Sequence, residues 1–501
     1  MPDPPPLRLH SAEGRWAIAA AVIGSGIVFI ESTVVNVALP AIGRDMSLGV
    51  SGLQWIVNGY LITLSALLLL GGALGDALGQ KRVFEAGLLS FAAGSLLCAV
   101  APNFPLLIVA RLVQGAAGAL LVPTSLAFLD TAFAEEDGSE AIGLWAGWSA
   151  VSTAVGPLLG GALVDFASWR WVFAAVIPLP LVAVWISRAR IASQPRRARP
   201  RVDFAGALLI SGGLGALVWA LIEGPERGLT PGTLGTAALG LALVMAFIRV
   251  EARRRSPLLP LSMFHSRQFS GANATTLLVY AALGALFFFL MVQLQGVLEY
   301  SALAAGASLL PINFLMLVLS PRAGRWGARQ GARVPITLGA LLAAGGLALF
   351  ARVGPGADYL TTILPATVVF GSGLGVLVAP LTAAVLSVAE EGRIGIASAV
   401  NNATARVAGL LAVALIPLVT GIAGLDDFTG PAFAAAFVQA MWICAALCVL
   451  GGVVAWLTVT ERSSVTARPH PSPTHGCAQR RREGESARAR PASAATGFSH
   501  R

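Results

Sequence analysis

Apolar runs recur along the whole chain, separated by short polar gaps, and each is long enough to form a helix of about 20 residues that crosses about 30 Å of hydrocarbon. The pattern predicts spans at 16–40, 51–71, 83–101, 105–130, 142–165 and 171–187. Two more are expected at 204–222 and 233–250, and a last set at 269–297, 302–320, 334–352, 359–388, 397–423 and 433–459. The expected fold class is an all-α integral membrane protein of fourteen spans: two pseudo-symmetric six-helix bundles plus two additional central spans. The boundaries that follow are an N-terminal tail over 1–15, a first bundle over 16–190 and a linker with the two extra spans over 191–268. A second bundle covers 269–460, and a basic tail, poor in large apolar residues and expected to be disordered, covers 461–501.

Composition agrees with a membrane protein. The 501 residues are 56% hydrophobic and only 12% charged, with a mean hydropathy of +0.76, against about 25% charged residues in soluble domains. The net charge of +9 does not require nucleic acid once the cations are placed on the spans. Only Arg44, Arg170, Arg227 and Arg352 fall on one side of the membrane, and Arg111 and Arg406 lie within spans. The rest of the 34 Lys and Arg fall on the side of the two termini, densest over 188–201 and 253–267. The positive-inside rule then puts both termini in the cytoplasm, with the basic linkers facing anionic headgroups.

Cys98, Cys444 and Cys448 lie in apolar spans and read as reduced thiols, and the five histidines are scattered, so no metal or other cofactor is expected. No H-E-x-x-H, G-x-S-x-G or phosphate-binding loop is present, which argues against a membrane enzyme or an ATP-driven pump.

Three charged or bent spans carry the candidate chemistry. Glu31 stands well inside the first run, where an ionisable group costs about 2.5–3.5 kcal/mol. A carboxylate there can exchange a proton, or it can be a structural acid paired with a donor. Arg111, inside the fourth span, cannot shed its proton and needs partners. Gln114 follows one turn later on roughly the same face. In the fifth span, Gly156 and Gly160 form a small face that lets two backbones approach, and Pro157 removes a helix hydrogen bond. Generic helix packing would explain that face equally. The chain also repeats itself: Gly72, Gly75 and Gly79 with Asp76, Lys81 and Arg82 match Gly324, Gly327 and Gly331 with Arg329 and Arg333 at the same spacing, each set read as a short basic turn.

These segments resemble the fourteen-span drug:proton antiporters of the major facilitator superfamily. Ile30–Pro40, IESTVVNVALP, is similar to that family's first-span motif, with Glu31 where the family usually has Asp. Arg111-Leu-Val-Gln114-Gly115 is similar to its Arg-x-x-Gln-Gly motif, and Gly156-Pro157-Leu-Leu-Gly160-Gly161 to its antiporter motif, which is associated with export. The repeated turns are similar to its cytoplasmic gate, although Ala77 replaces an Arg and Ala328 an Asp.

The resemblance implies a monomeric, proton-coupled exporter of drugs or amphipathic molecules in the cell membrane, working by alternating access with Glu31 and Arg111 as the coupling pair. Asp76 is expected near the start of the thirteenth span. Gln54, Asn58, Gln114, Asn273, Asn313, Asn401, Asn402 and Arg406 are the expected cavity residues, although helix-to-helix hydrogen bonding would explain many of them. An exporter of an endogenous metabolite or lipid, or a non-transporting scaffold or sensor, are the alternatives. Desolvation of two positive charges costs several kcal/mol each, so monocationic, zwitterionic or neutral substrates are expected, and the two middle spans are expected to be peripheral.

Overall fold

A backbone removed from water must satisfy its own N–H and C=O groups, and the apolar runs accordingly form helices. The computed structural model describes residues 7–133, 135–191, 203–228, 230–254, 257–388, 394–423, 425 and 427–460. The expected tail over 461–501, the linker residues 192–202 and the segment 389–393 lie outside the described residues.

The first group of helices is α1 (Ala12–Asp45), α2 (Val50–Leu78), α3 (Gln80–Ala99), α4 (Phe104–Ala132), α5 (Glu135–Phe166), α6 (Trp169–Ala174) and α7 (Pro178–Arg190). A hairpin follows, α8 (Phe204–Arg227) and α9 (Pro231–Arg253). The last group is α10 (Arg267–Val292), α11 (Ala302–Ala307), α12 (Leu310–Gln330), α13 (Arg333–Phe350), α14 (Leu364–Leu386), α15 (Ile394–Val419) and α16 (Pro431–Thr458). Side-chain caps start many of these helices: Ser11 accepts from Gly14 N–H, Asn103 from Leu106 and Ser301 from Ala304. The sixth and tenth predicted spans are each broken into two pieces just ahead of a proline, Pro178 and Pro311, which has no N–H to continue the helix ladder. Tighter bonds bridge the breaks, from Ile177 N–H to the Ala174 carbonyl at 3.1 Å and from Leu309 N–H to that of Gly306 at 3.3 Å.

Among the described residues, 13 helical stretches are long and apolar enough to cross a membrane. The expected fourteenth is α5. It is 32 residues long, but its apolar part is the shorter stretch Val151–Phe166, because its first turns carry Glu135, Glu136, Asp137 and Glu140.

In the first group α4 packs on α2 and α3, and α1 on α5 and α7; in the last, α14 packs on α12 and α13, and α10 on α15 and α16. The middle hairpin is less peripheral than its sequence suggests. Leu214, Val218 and Ile222 of α8 are buried in one cluster with Ile62 and Ala66 of α2 and with Leu410 and Ala414 of α15. Trp55 Nε1 also donates to Glu223 at 2.9 Å. Thus α8 closes the seam between α2 and α15, while α9 remains mostly exposed.

The repeated glycine segments differ from the expected turns. Gly72, Gly75 and Asp76 continue α2, and Gly324, Gly327 and Arg329 continue α12. The break between helices is short in each copy, Gly79 alone in the first and Gly331 with Ala332 in the second. Gly79 has φ +99° and Gly331 φ +95°, a conformation that glycine adopts without a Cβ clash. Each returns its N–H to the carbonyl four residues earlier, Gly75 or Gly327, at 2.9 Å. The internal repeat is therefore a repeat of backbone conformation as well as of sequence.

Candidate functional site

The apolar helices α1, α2 and α4 bury a polar cluster. Glu31 on α1 is fully buried, and its Oε1 lies 2.5 Å from Arg111 Nη1 on α4. Arg111 Nε donates to the Ile56 carbonyl of α2 at 3.0 Å, and Nη1 donates to Gln114 Oε1 at 2.6 Å. Gln114 Nε2 in turn donates to Ser95 Oγ on α3 at 2.9 Å. The Arg111 guanidinium lies 4.5 Å from the Tyr60 ring centre and 5.7 Å from that of Phe173. Such a pair survives in a dry interior because further hydrogen bonds and the two rings also hold the guanidinium. Glu31 Oε2, however, is buried without a hydrogen-bond partner, and an orphaned carboxylate oxygen is where a proton can bind.

The glycines of the antiporter-like segment set the position of α1. A Cβ at Gly156 would overlap Thr33 Oγ1 and lie 3.1 Å from the Ile30 carbonyl, and one at Gly160 would lie 2.6 Å from Val34. On the other side of α5, a Cβ at Gly161 would lie 2.5 Å from Leu303, and Gly306 of α11 abuts Pro157. Pro157 also bounds a small cavity with Thr33, Asn36, Thr153, Phe287, Met291 and Asn313. So α5 is wedged between the helix that carries Glu31 and the first piece of the broken tenth span.

The remaining candidates are not brought into one site. Gln54 is buried and donates to the Val413 carbonyl of α15 at 2.7 Å, and Asn58 is buried one turn later with neither amide atom bonded. Gln114 belongs to the Arg111 cluster rather than to a cavity wall. Asn273 bonds the Phe269 carbonyl of its own helix at 2.9 Å, Asn401 accepts from Thr276 at 2.8 Å, and Asn402 bonds the Ser398 carbonyl at 3.3 Å. Arg406 is half-buried near the middle of α15, with its guanidinium 5.6 Å from the Phe29 ring centre.

Of the expected gate residues, Asp76 is exposed and accepts from Gln80 at 2.8 Å. It was expected around Ile394–Ala397, which open α15 directly after the segment 389–393 that lies outside the described residues. Lys81 donates to the Ile191 carbonyl at the end of α7 at 2.6 Å, whereas Arg82 and Arg329 are exposed.

Contacts between the two helix groups gather at the end of the protein that carries Asp45 and Phe166. Asp165 accepts from the backbone N–H of Ala302 at 3.0 Å and of Leu303 at 2.8 Å. Gln295 donates to the Val37 carbonyl at 2.9 Å, and Val50 N–H to the Leu425 carbonyl at 2.9 Å. Sequence reasoning missed Asp165, Ser95 and Phe29. Asp165 reads there as an acid at a span end, and its signal is only that it stands four residues past Gly161 on the same helix face.

Residues 21–413 match the family model of the Major Facilitator Superfamily. The chain is 34% identical to the puromycin resistance protein pur8 of Streptomyces alboniger over 89% of its own length and 92% of that protein's. It is also 34% identical to the cephamycin export protein CmcT of Amycolatopsis lactamdurans, over 81% of its own length and 85% of that protein's. Among solved structures, a bacterial homologue of the human lysosomal transporter Spinster, inward-facing and unoccupied, shares the fold with a TM-score of 0.66 at 15% identity, over 89% of this chain and 97% of that one. The chain belongs to the Major Facilitator Superfamily, as a membrane transporter and not an enzyme.

Proposed function

We propose that this transporter exports drug-like amphipathic molecules from the cytoplasm in exchange for protons, by alternating access. The observation that carries the reading is the fully buried pair of Glu31 and Arg111. A non-transporting scaffold has no use for so costly a pair. When Glu31 is ionised, it neutralises Arg111; when it takes a proton, the guanidinium is left without its counter-ion and the charge-assisted bond that joins α1 and α4 weakens to one with a neutral acceptor. That change of charge is a means of biasing two packings of the helix groups. The names of the relatives, which include resistance and export proteins, favour drugs or antibiotics over an endogenous metabolite.

In this reading α5 is the fifth of fourteen spans in a six, two and six arrangement, and both termini are cytoplasmic. The end closed by Asp165 then faces outside, and the path opens toward the cytoplasm. The protein works as a monomer in the cytoplasmic membrane, and its basic linkers meet anionic headgroups. The test is to reconstitute the full chain in liposomes loaded with a pH-sensitive dye and to add a panel of antibiotics under an imposed pH gradient. Proton entry that depends on a compound supports the reading. Compound movement with no proton movement removes antiport from it.

A further inference from the structure

The spanning helices hold one half-buried cation whose counter-charge the described residues do not supply. Arg406 sits near the middle of α15, and among the described residues its guanidinium has neither a hydrogen bond nor an ion pair. The Phe29 ring of α1, from the other helix group, lies 5.6 Å away. Tyr60 of α2 bonds the carbonyl of Val28, the residue before Phe29, at 3.4 Å, and Tyr280 stands one turn past Thr276, which joins α10 to Asn401 of α15 at 2.8 Å. Arg111, by contrast, is already neutralised by Glu31 at 2.5 Å. With both arginines and Glu31 charged, this part of the interior holds one excess positive charge.

We propose that Arg406 is the residue that selects the substrate, and that the central path recognises an aromatic organic anion, its carboxylate held by Arg406 and its ring by Phe29, Tyr60 and Tyr280. The inference rests on the transport reading above and replaces the expectation of cationic or neutral substrates. A guanidinium matches a carboxylate through two parallel hydrogen bonds, and its aromatic surroundings leave its own donors free for that contact while stabilising its charge. A cationic substrate would have to enter against the same charge with little water to screen it. Tyr60 lies 4.5 Å from Arg111 and bonds Val28, next to the Phe29 that faces Arg406, so the substrate site and the proton site adjoin without sharing a ligand. An inside-negative membrane potential would also assist the export of an anion.

Binding to the purified full-length protein tests this without a pH gradient, so its failure is separable from failure of proton coupling. The probes are dansylglycine, its neutral amide and the cationic mono-dansyl derivative of ethylenediamine, titrated by fluorescence. The carboxylate should bind about tenfold or more tighter than the amine. Arg406→Gln should abolish that preference and leave the amide's affinity within about twofold, whereas Arg406→Lys, which keeps the charge, should retain the preference. Thermal unfolding checks that both variants fold, and if Arg406→Gln does not, the wild-type ranking and Arg406→Lys still decide. The proposal is overturned by an amine that binds as tightly as the carboxylate, by no carboxylate binding up to its solubility limit, or by an Arg406→Gln protein with wild-type preference.

Discussion

Gly156 of α5 lies so close to Thr33 of α1 that a side chain at position 156 would occupy the space of the Thr33 hydroxyl. Thr33 is two residues from Glu31, so the glycine face sets how deeply the acid-bearing helix sits in its bundle. The antiporter-like segment and the buried ion pair are therefore parts of one packing arrangement.

Replacing Gly156 by Leu should push α1 off α5 at a cost of about 1–3 kcal/mol from overpacking, lowering both the unfolding temperature and transport. Gly143, on the same helix, has open space where a Cβ would go, so Gly143→Ala should leave both unchanged or raise the unfolding temperature slightly. Equal behaviour of the two variants would contradict the packing argument.

Much of this arrangement was legible in the sequence because membrane burial makes its signals coarse. Apolar runs marked the helices, and Glu31 and Arg111 stood out because few charges tolerate that depth. The distribution of the other polar residues was not legible. Asn273 and Asn402 satisfy carbonyls of their own helices, while Gln54 reaches across to α15, and a sequence gives no rotational register between helices to tell these cases apart. The turns were misread for a related reason: Gly72 and Gly75 look like loop residues, but they continue α2, and only Gly79 takes the positive φ that ends it.

Removing one partner of the ion pair should be worse than removing both charges. Arg111→Ala leaves Glu31 buried without a counter-ion and should cost about 3–5 kcal/mol. The double variant Glu31→Gln with Arg111→Gln should recover part of that stability while remaining inactive. Thermal unfolding of the purified proteins measures the difference, and a double variant no more stable than Arg111→Ala would count against the pairing.

The seam role of α8 separates the two helices of the middle hairpin. Val218 is fully buried, so Val218→Trp should overpack the cluster it shares with α2 and α15 and slow transport. Leu239 of α9 is exposed, and Leu239→Ala should transport at the wild-type rate. Similar losses in both, at matched expression, would mean that the hairpin acts as a unit rather than through the seam.

Asp165 holds two backbone N–H groups across the helix groups, and hydrogen bonds to a charged acceptor are worth about 1.5–3 kcal/mol. Asp165→Asn keeps the shape but weakens the clasp, so the population open at that end should rise severalfold. A cysteine at Ser301 in an otherwise cysteine-free background should then be alkylated faster in Asp165→Asn than in the parent, and an unchanged rate would remove Asp165 from the closure.

The central claim is that Glu31 carries the coupled proton, and Glu31→Gln tests it most directly in proteoliposomes holding a transported compound. The amide preserves shape and contact with Arg111 but cannot cycle between charged and neutral. The account predicts that Glu31→Gln still exchanges compound for compound across the membrane at equal pH, yet loses all accumulation driven by a pH gradient. Accumulation at the wild-type rate under that gradient would contradict it.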